Sequence, residues 1–89
     1  MKIVGVEHRT GNYKGFDYDN YIIHTVDDAP FGACVAGGLT DTYKVKAKSV
    51  REVFGGEIGQ EEDFAKIIGR TANIFCDKYG NPQRIELND

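Results

Sequence analysis

Eighty-nine residues give room for one hydrophobic core and exclude a two-domain arrangement, because a chain this short buries only about 60 to 65% of the surface its unfolded form exposes. With 40% hydrophobic and 28% charged residues, the composition excludes an intrinsically disordered chain and a fibrous repeat. A formal net charge of −3 excludes attachment to nucleic acid by overall charge, so phosphate binding would have to rest on a local basic patch.

Lys2 to His8 carries Ile3, Val4 and Val6 over too short a length for a helix and predicts a first strand, with Arg9-Thr10-Gly11-Asn12 as the turn after it. From Phe16 to Val26 the enrichment in aromatic and β-branched residues predicts a long second strand that forms a hairpin with the first. Phe16, Tyr18 and Ile22 share one parity and Tyr21 and Ile23 the other, so without a bulge one of these sets lies outside the core and some rings are exposed. Asp27 to Gly38 reads as a long connection, with a short irregular hairpin around Ala33 to Ala36. Thr42 to Ser49 alternates Tyr43, Val45 and Ala47 with Lys44, Lys46 and Lys48, the pattern of a half-buried third strand.

Val50 to Phe54 reads as a helical turn, and Gln60 to Ile68 as a helix of about two turns with acids at its start and Gly69 as its stop. Thr71 to Asp77 and Gln83 to Leu87 predict the last two strands, joined by a turn at Tyr79-Gly80-Asn81-Pro82. The order places one short helix between strands 3 and 4, as in a small five-stranded OB-type barrel. A half-open SH3-like barrel or a β-meander with one helix fits the same order. The expected architecture is a single mainly β domain spanning residues 1 to 89.

No apolar run reaches the roughly 18 to 20 residues that cross a bilayer, and the apolar start breaks off at Glu7-His8-Arg9, too short for a signal peptide; a cytoplasmic protein without membrane contact is expected. Cys34 and Cys76 lie apart without a CxxC or Cys/His cluster, so buried free thiols are expected and neither a disulfide framework nor a zinc site. Asp17 and Asp19 alternate with the aromatics as a surface row rather than a metal site. His8 and His24 lack a nucleophile motif, and Gly32 to Gly38 lacks the ending of a phosphate-binding loop. No cofactor, metal or enzymatic activity is expected.

Two constellations point to nucleic acid. Arg9, Tyr13, Lys14, Phe16, Tyr18 and Tyr21 put cations and rings in one hairpin, and ring faces stack unpaired bases with roughly 1 to 3 kcal/mol each. Lys44, Lys46 and Lys48, extended by Arg51, place ammonium groups about 6 to 7 Å apart on one strand face, near the spacing of successive phosphates. The plainer reading of the lysines is a face kept soluble or an edge guarded against aggregation. The expected site is Arg9, Tyr13, Lys14, Phe16, Tyr18, Lys44, Lys46, Lys48 and Arg51.

The hairpin residues Arg9-Thr10-Gly11, Lys14-Gly15 and Tyr18, followed by a valine- and lysine-bearing strand and a run from Ile68-Gly69-Arg70 through Tyr79-Gly80 to Ile85, resemble the gene V type single-stranded DNA-binding family of filamentous phages and mobile elements. The resemblance implies an OB-like homodimer that coats single-stranded DNA with little sequence preference, with Arg9, Lys14 and Tyr18 on the DNA. Asp17 and Asp19 beside the tyrosine, and the connection bearing Asp27-Asp28 and Gly37-Gly38, depart from that pattern. A small protein-interaction or regulatory module that uses the same rings against another protein is the alternative function.

Overall fold

The structure, a computed structural model of the chain, describes residues 1–28 and 36–88. Strands β1 (Lys2–Tyr13), β2 (Phe16–Asp28) and β3 (Gly38–Lys46) form an antiparallel three-stranded sheet in that order, and β4 (Ala72–Cys76) pairs with β5 (Pro82–Leu87) in a second sheet. The expected hairpin around residues 33 to 36 and Cys34 lie outside the described residues.

The first hairpin is longer than the sequence pattern suggested. Arg9 to Asn12 is not its turn; β1 continues through them, and the chain reverses at Lys14-Gly15, whose φ angles of 51° and 84° are both positive. Two consecutive left-handed residues make the tight turn that matches the twist of paired strands. Asn12 Oδ1 supports it by accepting from the Gly15 N–H at 3.2 Å. The parity conflict in β2 is resolved by facing, since Tyr21 and Ile23 enter the core while Phe16 and Tyr18 are exposed on the other side; the register shift lies instead in β1, between Ile3 and Gly5. This bulge lets Ile3 and Val6 both face inward although they are three positions apart.

The core lies under that inner face. Ile3, Tyr21, Ile23 and Val45 from the three-stranded sheet meet Val50, Val53, Phe54, Ile58, Phe64 and Ile67 from the helical segments, with Ala72 and Ile85 from the second sheet. The helical turn expected from Val50 is present as α1 (Val50–Val53), preceded by a 3₁₀ turn at Ala47–Ser49, and a 3₁₀ stretch at Glu61–Lys66 stands where the helix of two turns was expected. In that stretch, Phe64 and the residue that closes it, Ile67, lie three positions apart with both side chains buried. Its start is closed by reciprocal capping between Gln60 and Asp63, whose carboxylate also accepts from the Gly59 N–H at 2.9 Å. Those backbone hydrogen bonds hold the Asp63 carboxyl below the usual range.

The two sheets meet at an antiparallel bridge between Lys2 and Thr71, reinforced by Ile3 N–H to the Arg70 carbonyl at 2.9 Å and Gly69 N–H to the Ile3 carbonyl at 2.7 Å. Among the described residues the strand ladders form these two sheets rather than one closed barrel. Cys76 corrects the expectation of buried thiols: it is exposed at the end of β4, just past a register shift between Phe75 and Cys76. None of the described helices is long and apolar enough to cross a membrane.

Candidate nucleic-acid interface

Cross-strand register decides which side chains share a surface. Tyr13 pairs with Phe16, Gly11 with Tyr18, Arg9 with Asn20 and Glu7 with Ile22; on the other side of β2, Asn20 pairs with Lys46 and Ile22 with Lys44. Directly opposed residues lie on the same face of a sheet, and so do residues two apart. Arg9, Tyr13, Phe16, Tyr18, Asn20, Lys44 and Lys46 therefore occupy one face, the one turned away from the core. The opposite face carries Tyr21, Ile23 and Val45 into the core.

β3 ends at Lys46, short of the expected limit of Ser49, because the chain turns into the 3₁₀ segment at Ala47. β2 runs on beyond it, from Asn20 back to Phe16, with β1 as its only partner among the described strands. At this step lies an open groove of about 470 Å³, lined by Tyr18, Asn20, Lys44, Lys46 and Lys48 together with Asp17 and Asp19. Lys48 thus joins the lysine row from the 3₁₀ turn rather than from strand alternation. Arg51, on α1, falls outside this groove; it borders a separate hollow with Lys48, Tyr21 and Phe64. Lys14 sits in the hairpin turn with its Nζ 5.3 Å from the Tyr13 ring centre.

The rings on this face are solvent-accessible, with Tyr13 66%, Phe16 78% and Tyr18 43% exposed. Tyr21, by contrast, is a core residue that stacks on His8 and tilts against Phe64. Lys44, Lys46 and Lys48 are absent from the ion pairs formed among the described residues. Arg9 is different. Its guanidinium lies 2.9 Å from Glu7, which also contacts His24 Nε2 at 3.3 Å. The guanidinium and imidazole together draw the Glu7 carboxyl below its ordinary range.

The two acids at the groove are already engaged. Asp17 accepts from Asn12 Nδ2 at 2.9 Å across the hairpin, and Asp19 contacts His8 Nε2 on the core-facing side. His8 Nδ1 also lies 3.4 Å from Glu61, so the imidazole links the hairpin to the 3₁₀ stretch. The hydrogen bond to Asp19 raises the His8 pKa, helped by the charge of Glu61.

Sequence reasoning missed Asn20, which is polar between two aromatics and carries no distinctive signal. It also missed the His8–Glu61 contact, which joins residues far apart in the chain. Two further cation–aromatic pairings were overlooked on the far hairpin, where Arg84 lies 5.7 Å from the Phe75 ring centre and Lys78 lies 5.1 Å from that of Tyr79. Among the described residues no cluster of three or more histidine, cysteine, aspartate or glutamate side chains is arranged to hold a metal.

No protein-family model, no curated protein and no solved structure matches the chain.

Proposed function

We propose that the chain is a non-enzymatic single-stranded DNA-binding protein. The outer face of its three-stranded sheet stacks bases on Tyr18, Phe16 and Tyr13 and neutralises phosphates with Lys44, Lys46, Lys48 and Arg9. The observation that carries this reading is convergence: six residues drawn from three strands, three aromatic and three cationic, share one exposed sheet face. Every base has a π-face, so such a surface holds a single strand with little sequence preference, whereas a duplex keeps its base faces stacked on one another. A local excess of lysines that form no ion pair among the described residues coexists on that face with a total charge of −3.

In the same proposal the two sheets are the halves of an open five-stranded OB-type barrel. The Lys2–Thr71 bridge joins β1 to the β4 side. A second hollow, lined by Lys44 and Val45 of β3 and by Pro82 and Gln83 of β5, brings the remaining two edges towards each other. A homodimer completes the proposal, motivated by the small core that a chain of this length buries; sedimentation at tens of micromolar showing monomer alone would remove that part. The exposed Tyr13 and Phe16 at the hairpin tip also favour a second reading, a protein-interaction module in which those rings enter a partner's pocket.

Titration of a labelled single-stranded oligonucleotide at low salt, beside a duplex of the same length, separates these readings. The proposal expects binding to the single strand and much weaker binding to the duplex. Absence of binding to both removes the DNA-binding function and leaves the protein-interaction reading, while preference for duplex rejects base stacking.

A further inference from the structure

One close approach in the interface is not explained by turn geometry. Gly11 lies within β1, away from the hairpin turn, and pairs directly with Tyr18. A Cβ added at Gly11 would fall 2.5 Å from the Tyr18 Oη, 2.6 Å from its Cζ and 3.0 Å from its Cε1. The far end of the ring therefore occupies the space that any other residue's side chain would need. In antiparallel sheets an aromatic lying across a cross-strand glycine covers backbone that the glycine leaves bare.

We infer that Gly11 is a positioning residue for the Tyr18 stacking platform: the missing Cβ is a seat that holds one face of the ring against β1 and presents the other to a base. This rests on the single-strand reading above and deepens it in two ways. Because one face is covered, Tyr18 stacks on one base rather than being inserted between two. Because the ring leans towards β1, the side of β2 beyond the end of β3 stays open. That open side is the groove lined by Asn20, Lys44, Lys46 and Lys48, so a base laid on Tyr18 has its phosphates directed towards the lysines.

The atoms that a Cβ would strike belong to the tip of a side chain, so Gly11→Ala displaces the ring and leaves the backbone in place. Glycine is a poor strand residue, and the substitution itself does not lower stability. Two measurements test the seat. In the free protein, the Gly11 Hα protons should be shifted upfield by the ring current of Tyr18, and Tyr18→Leu should return them to ordinary strand values. In oligonucleotide titration, Tyr18→Ala should weaken binding roughly 5- to 150-fold. Gly11→Ala should weaken it by a similar factor at unchanged thermal midpoint, and the double variant should be no weaker than Tyr18→Ala alone. Ordinary Hα shifts in the wild type overturn the seat, whether or not the protein binds DNA. Full affinity in Gly11→Ala overturns it also, as do losses that multiply in the double variant. Failure of the wild type to bind single strands would instead overturn the functional reading, with the ring-current result still deciding the seat.

Discussion

In the lower half of the β1–β2 hairpin, Ile3 and Ile23 are completely buried, whereas in the upper half, beyond the end of β3, Tyr13, Phe16 and Tyr18 remain exposed. What differs is the face as well as the partner, because the two isoleucines lie on the inner face of the sheet and the three rings on the outer one. The lower half lies over the helical segments and the second sheet, which exclude water from its inner face. The upper half projects past them, and this contributes to a molecule that extends 45 Å along its longest axis against 24 Å along its shortest. A large apolar residue stabilises the fold where it is covered on all sides; where the chain leaves it open, its surface remains available to a ligand.

The largest effect that sharpens this contrast is in the core. Phe54 is 1% exposed and meets Phe64 edge-on at 5.9 Å between ring centres. Its replacement by alanine should cost about 3 to 5 kcal/mol, through lost burial and the cavity left behind. Phe16→Ala, which removes the same ring from the exposed tip, should change stability by no more than about 0.5 kcal/mol. Urea unfolding of the two variants measures the difference directly. Equal losses would mean that the tip is part of the packed structure and that the division of the hairpin is wrong.

A smaller effect concerns the joint between the halves, where His8 lies against Asp19 of β2 and Glu61 of the 3₁₀ stretch while stacking on Tyr21, 4.3 Å away. The two carboxylates favour the imidazolium, and the folded pKa of His8 is raised. A raised folded pKa means stability that is fully present below the unfolded value of about 6.5 and is lost as pH rises through the folded one. The thermal midpoint should therefore decline as pH rises above about 6.5, and His8→Gln should remove most of that decline. A midpoint with the same pH dependence in both proteins would show that this link contributes nothing to the fold.

Much of the architecture was legible from alternation. The existence of the third strand, though not its start at Gly38 ahead of the expected Thr42, followed from residue pattern, as did the final hairpin, the acidic start of the segment before Phe64 and the exposure of some rings in β2. The position of the first turn did not. Arg9 to Asn12 has turn-forming residues, but the left-handed pair at Lys14-Gly15 has the geometry that a tight hairpin needs, and Gly11 serves Tyr18 rather than a turn. The end of β3 was also hidden, because Ala47, Lys48 and Ser49 continue the alternation while the backbone has already turned into 3₁₀ form. Of the expected site, Arg9, Tyr13, Phe16, Tyr18, Lys44 and Lys46 share the outer face. Lys48 reaches the same groove by another route, and Arg51 lies beside a different hollow. Register between β1, β2 and β3 brought the six together, and register is set by where a turn and a bulge fall.

The central claim, that the outer face of this arm holds the phosphates of a single strand, is tested most directly by salt dependence. Each phosphate neutralised on a single strand contributes about 0.7 to the slope of log affinity against log salt. Replacing Lys44, Lys46 and Lys48 together by glutamine should flatten that slope by about 2 units while the core-facing Tyr43 and Val45 keep the strand in place. A slope that stays at the wild-type value, in a variant that remains folded, would contradict the account and place the phosphates elsewhere on the molecule.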